Sequence, residues 1–268
     1  DALKISTQFK NSVKESIVLG DTTRKLGSTF GVVSSDFGKF QSNMINGLGK
    51  IGLGADTAAK TLEGLMGTGV KGEGSVMGYA KTAGQLASVT KSTGQEGDIA
   101  KGIAGVIRAQ GGNVNDMGKM SEVAEDLRRV FLQTGKGPTE TLGAMEQIFS
   151  GMATDMRKTI GTRGLANLAA ASQVAGPNST KFLEEMMGKS PIARMAFNAQ
   201  GGKGVFTDKG IDIDKFAKFS KNIMGRIGGD PRMAAQTLGL SEDAAEGFIR
   251  LAQSLDRVKS AQEGIEKS

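Results

Sequence analysis

The chain has 268 residues, of which 40 are glycine and only 5% aromatic, and it contains no Cys, His or Trp. That composition excludes disulfides, thiolate nucleophiles, iron–sulfur sites, serine–histidine triads and histidine-ligated zinc, leaving Ser, Lys, Asp, Glu and the single Tyr79 for chemistry. The 34 Lys and Arg against 28 Asp and Glu leave +6, with both signs spread along the chain and no basic block, which argues against nucleic-acid and anionic-membrane partners.

Mean hydropathy is −0.21, and the most apolar stretch, Leu165 to Ala175, is far shorter than the roughly 18 residues a membrane-spanning helix needs. The chain opens at Asp1 with no initiator Met, basic n-region or apolar h-region, as expected of a piece of a longer polypeptide rather than a secretory precursor.

Apolar spacing predicts an all-α fold, with helices at about 3–19, 23–51, 55–66, 76–91, 96–110, 121–133, 138–160, 163–175, 180–187, 191–199, 213–227, 231–238 and 241–266. The most regular stripe is Leu26, Phe30, Val33, Phe37, Phe40, Met44, Leu48 and Ile51, each three or four residues after the last. It reads as a helix-packing or assembly seam, closing either on this chain or on copies of itself. Five glycines between Gly67 and Gly78 mark a flexible linker. Pro138, Pro191 and Pro231 stand at first helical positions, the last two behind the N-cap residues Ser190 and Asp230, and Ser121 and Ser241 mark further starts. Val205 to Ile213 reads as a short hairpin with Gly210 at a positive-φ position. The chain divides into a long amphipathic arm (1–54), a helical bundle (55–178) and a small helical subdomain running into a C-terminal helix (179–268).

No motif outweighs its structural explanation. Gly47, Gly49 and Gly52, and again Gly67, Gly69 and Gly72, match a dinucleotide fingerprint, but neither follows a predicted strand. Gly188–Lys189–Ser190 resembles the end of a phosphate loop, but Leu183 occupies the position of its first glycine. Asp208, Asp212 and Asp214 fit hairpin and N-cap carboxylates better than a calcium loop, because Gly210 takes a ligand position and Ile213 the place of the essential glycine. Met145, Met152 and Met156 share a face with Leu142, Ile148, Phe149 and Ile160, the pattern of an adaptable core or, alternatively, of a binding groove. Neighbouring acids such as Glu184 and Glu185, or Glu242 and Asp243, point apart on a helix, so no acid–base pair is indicated. The expectation is a protein that is not an enzyme and carries no cofactor or metal.

The run from Gly228 to Leu251, with Leu238–Gly239–Leu240–Ser241 leading into a helix, resembles segments of bacteriophage tail tape-measure proteins. Met120 to Gly176 and Phe182 to Phe197 are similar in style. The resemblance implies a structural protein of the virion tail, in the lumen or baseplate hub, that sets tail length and is expelled during genome delivery. Its implied partners are copies of itself, a homotrimer first, with tail tube and baseplate hub proteins and a transient contact with the host envelope. No specific nucleic-acid binding is expected. A translocated effector or pore-forming protein acting on the host envelope is the alternative.

Overall fold

A computed structural model describes residues 29, 37–50, 52 and 61–267. The described residues are mostly helical, with one two-stranded antiparallel sheet, as expected of an all-α fold. The chain forms two compact units, residues 1–124 and 125–268.

The first unit contains α1 (Phe37–Gly49), a helical turn at 61–64, α2 (Glu73–Val89), α3 (Glu96–Ala109) and the first turns of α4 (Met117–Thr134). The buried face of α2 is built from small residues, Gly78, Ala80, Ala83 and Ala87, around Val76, Tyr79 and Leu86. α3 turns Ile99, Ile103 and Ile107 inward at helical spacing and packs on α2. Small side chains permit close approach: a Cβ on Gly64 would stand 2.5 Å from the carbonyl oxygen of Gly97. α1 also packs on α2, where Asn43 Nδ2 donates to Glu73 Oε1 at 2.7 Å.

The glycine-rich stretch expected to be a flexible linker is a tethered turn instead. Arg108 Nη2 donates to the Gly67 carbonyl at 3.2 Å, and the Lys71 N–H donates to Asn115 Oδ1 at 2.6 Å. Val70 is buried between these ties, and α2 already begins at Glu73. Gly67, Gly69 and Gly72 take φ of 74°, 80° and 82°, so their role here is the left-handed backbone of a tight turn.

The second unit is organised around α7 (Thr162–Ala175), whose run Gly164 to Ser172 is buried throughout. Packed on it are α5 (Pro138–Gly151), α8 (Ser179–Glu184), α12 (Glu242–Gln253), α13 (Leu255–Lys267) and one edge of the hairpin. Segments expected in separate subdomains on either side of 178/179 therefore share one core. β1 (Phe206–Thr207) pairs with β2 (Gly210–Ile211), and Gly210 adopts φ 109° as the turn requires. α9 (Pro191–Phe197), α10 (Ile213–Ile227) and α11 (Pro231–Leu238) complete the unit beside the short α6 (Thr154–Thr159).

Phe182, Phe197, Phe206, Phe216, Phe219 and Phe248 interlock at its centre, with centroid separations from 4.3 Å for Phe197–Phe219 to 6.4 Å. Such offset and edge-on pairs add about 0.5–1.5 kcal/mol each beyond area burial.

Local start signals appear where expected: Ser190, Asp230 and Ser241 accept backbone N–H bonds as N-caps of α9, α11 and α12, and Asp212 caps α10. Ser121 does not start α4; Asp116 Oδ1 accepts from the N–H groups of Gly118 and Lys119, and the helix begins at Met117. The helix expected over 138–160 breaks at Met152 and Ala153, which are extended. There the Ala153 N–H donates to the Met187 carbonyl at 2.8 Å, and Gly188 lies against the Ala153 backbone. The helix expected over 241–266 breaks at Ser254, a buried residue whose Oγ accepts from Arg257 Nη2 at 2.8 Å. Two π-type turns unforeseen in the sequence, Glu185–Lys189 and Asn198–Gly202, flank α9 and contain Gly188 and Gly201 at φ 147° and 95°.

Candidate functional site

Of the expected seam, Leu26, Phe30, Val33 and Ile51 lie outside the described residues. Phe37, Phe40, Met44 and Leu48 fall on α1. Phe40 and Leu48 are buried within the chain itself, on a helix that packs against α2.

The most exposed apolar side chains among the described residues are Ile192 and Met195, at 73% and 72%. They stand three residues apart on α9, hence on one face, while Ala193 and Phe197 face inward. Phe197 anchors the helix in the phenylalanine cluster and Ser190 Oγ caps it at 3.2 Å from the Ala193 N–H. α9 packs on α11, and the Cγ2 of Ile192 lies so close to Gly239 that a Cβ there would stand 3.2 Å away. Met233, in the first turn of α11, is 46% exposed.

The sequence that carries this helix is locally basic. Residues 186–233 contain nine Lys and Arg but four Asp and Glu, nearly the whole net charge of the chain. The even spread expected from the sequence holds for the full length and fails for this stretch. Arg194 on α9 is bidentate to Asp155, and this guanidinium holds the Asp155 carboxyl below its usual range. Arg226 Nη1 donates to Gln200 Oε1 at 2.6 Å just past α9, and Arg232 is exposed beside Met233.

A second cluster clamps the C-terminal helix. Arg129 Nη1 and Arg163 Nη1 both donate to the Ile265 carbonyl, at 3.2 and 3.3 Å, where the last turn of α13 presents free carbonyls. Arg163 Nε also bonds the fully buried Asp126 at 2.5 Å. Glu125 binds Arg128 and Arg129, and their hydrogen bonds, Arg128 first, hold its carboxyl down at about 2. Beside the first turn of α13 opens a cleft of about 530 Å³ lined by Gln133, Thr134, Gln173, Asp256, Arg257 and Ser260. Its charges belong to one adjacent Asp–Arg pair, and it contains no nucleophile paired with a base.

The methionine stripe is core at Met145 and Met152, which are buried, while Met156 is half-buried. Glu184 and Glu185 have separate structural duties: Glu184 accepts from Gln147 Nε2 at 3.3 Å, and Glu185 accepts from the N–H and O–H of Ser241 at 3.0 and 2.6 Å. Asp243 pairs with Lys181. Among the described residues no three acidic side chains converge as a metal site would require, and no helix is long and apolar enough to cross a membrane.

Ile192 and Met195 escaped the sequence reading because a seven-residue helix with apolar residues on both faces looks like core. The signal available was the pairing of that double-sided apolarity with the local basic excess. No protein-family model matches the chain, and no curated protein or solved structure is significantly similar to it.

Proposed function

We propose that the chain is a non-catalytic structural segment of a bacteriophage tail tape-measure protein, lying in the tail lumen or baseplate hub and leaving during genome delivery. The supporting observation is the construction of the polypeptide: helices of at most 18 residues among those described, joined at left-handed glycines and free of cysteine cross-links. A protein threaded through a narrow tube must come apart element by element, and short helices that depend on their neighbours for stability separate at low cost. In this reading copies of the chain assemble along the tube axis, a homotrimer first, with tube and hub proteins as neighbours.

In-frame deletion of α2 and α3 in a phage encoding the chain should shorten the tail by about 1.5 Å per residue removed if the segment is stored as helix. Tails of unchanged length would overturn the reading.

A further inference from the structure

We propose that α13 is a latch: a helix that lifts off α7 as one piece, about a hinge at Ser254, while the rest of the second unit stays folded. The hinge is the break between α12 and α13, where Ser254 leaves the helical conformation at φ −105° and ψ 12°. Beyond it, the apolar side chains that α13 buries are Val258, Ala261 and Ile265, whereas α12 sends Phe248 into the phenylalanine cluster. Little apolar area therefore holds α13 to α7, and none of it is aromatic. The cleft of about 530 Å³ beside its first turn, lined by Gln133, Gln173 and Arg257, opens the same seam to solvent.

Polar groups act on this latch in both directions. Arg129 of α4 and Arg163 of α7 close it, each donating to the Ile265 carbonyl, at 3.2 and 3.3 Å, in the last turn where carbonyls lack a donor within the helix. Two amides at the middle of the same helix work against closure. Gln262 is buried at 7% exposure, and its Nε2 has no hydrogen-bond partner among the described residues. Asn167 of α7, at 1% exposure, donates its Nδ2 to the Lys209 carbonyl at 2.9 Å but leaves its Oδ1 unpartnered among the same residues. Both side chains lie against the hairpin glycine: a Cβ on Gly210 would stand 3.1 Å from Gln262 Nε2 and 3.0 Å from Asn167 Cβ. A donor and an acceptor are thus buried at one junction without bonding each other. Each gives up its water when α13 closes and regains it when α13 lifts, so desolvation opposes the arginine clamp. The inference rests on packing within the second unit alone; in the proposed threading role, α13 is the element of that unit that comes away first.

The test is native-state hydrogen exchange on the full 268-residue chain. The amides of Val258, Ala261 and Ile265 should become accessible together, with protection about tenfold or more below that of Leu168 in α7 and Phe248 in α12. Protection that falls stepwise from Val258 to Lys267 would mean fraying and overturn the proposal, as would protection of α13 equal to that of α7. Two substitutions should move the latch in opposite directions. Gln262→Met keeps the length of the side chain and removes the unpartnered donor, so it should raise protection in α13 roughly tenfold and leave α7 unchanged. Arg129→Met removes one of the two clamp donors and should lower protection in α13 roughly fivefold. Reduced protection in Gln262→Met would overturn the proposal, because it would show that this amide holds the helix down. The parent and Gln262→Met keep the test decisive if Arg129→Met folds poorly. Tail length is a separate readout, so failure of one reading leaves the other standing.

Discussion

The two units solve the same problem, a glycine-rich chain with few aromatics, in opposite ways. In the first unit the described core is mostly aliphatic and small, with Ile99, Ile103, Ala80 and Ala83 together with two buried rings, Phe40 and Tyr79, and the Tyr79 hydroxyl donates to the Val114 carbonyl at 2.8 Å. Burial pushes that phenol up to about 12, with Arg108 opposing in part, so it stays a protonated donor. In residues 125–267 the aromatic residues are pooled instead, and six phenylalanines from α8, α9, β1, α10 and α12 meet in one cluster. A core built mainly from small aliphatic side chains spreads its buried area over many positions. A core of interlocked rings concentrates its stability at a few positions.

Phe182→Ala should have the largest effect, because its fully buried ring touches four others; a loss of about 3–5 kcal/mol is expected in denaturant unfolding. Hydrogen exchange should locate that loss in α8, α10 and α12. Equal loss in α2 and α3 would break the distinction between the two cores.

Tyr79→Phe keeps the ring and removes the donor, leaving a carbonyl without its partner, and should cost about 1–2 kcal/mol. Its effect should concentrate in α2 and in the segment carrying Val114. An unchanged midpoint would show that ring packing alone carries the first core.

The smallest effect expected is that of Glu125→Gln. With the Glu125 carboxyl held at about 2 against 4.5, its ion pairs contribute stability above 4.5 that disappears as pH falls through this interval. The parent should therefore lose more melting temperature than the variant between pH 5 and pH 2. The side chain is 39% exposed, so screening keeps the difference small, and parallel melting curves would remove Glu125 from the account.

Helix existence and many helix starts were legible because they are local. A proline at the first helical position and a Ser or Asp accepting the next free N–H act within four residues, so Ser190–Pro191, Asp230–Pro231 and Ser241 could be read from the sequence. The Val205–Ile213 hairpin was legible for the same reason, through the positive φ of Gly210.

Tertiary structure decided where helices stop and which glycines bend or pack. Helix α5 ends where Ala153 finds the Met187 carbonyl, a partner 34 residues away, and no residue near Ala153 announces that bond. Gly164 and Gly247 pack rather than bend: a Cβ on either would stand about 2 Å from the carbonyl oxygen of Asp208 or Asn178. Gly67 and Gly69 turn the chain, and the bonds to Arg108 and Asn115 hold the stretch in place. Composition alone assigns all of these glycines the same freedom. The exposed face of α9 was hidden likewise, because Ile192 and Met195 are as apolar as Phe197, and only its place in the phenylalanine cluster decides which side of the helix turns inward. Backbone preference acts over a few residues, whereas burial and hydrogen-bond partners are assigned by whatever the folded chain brings near.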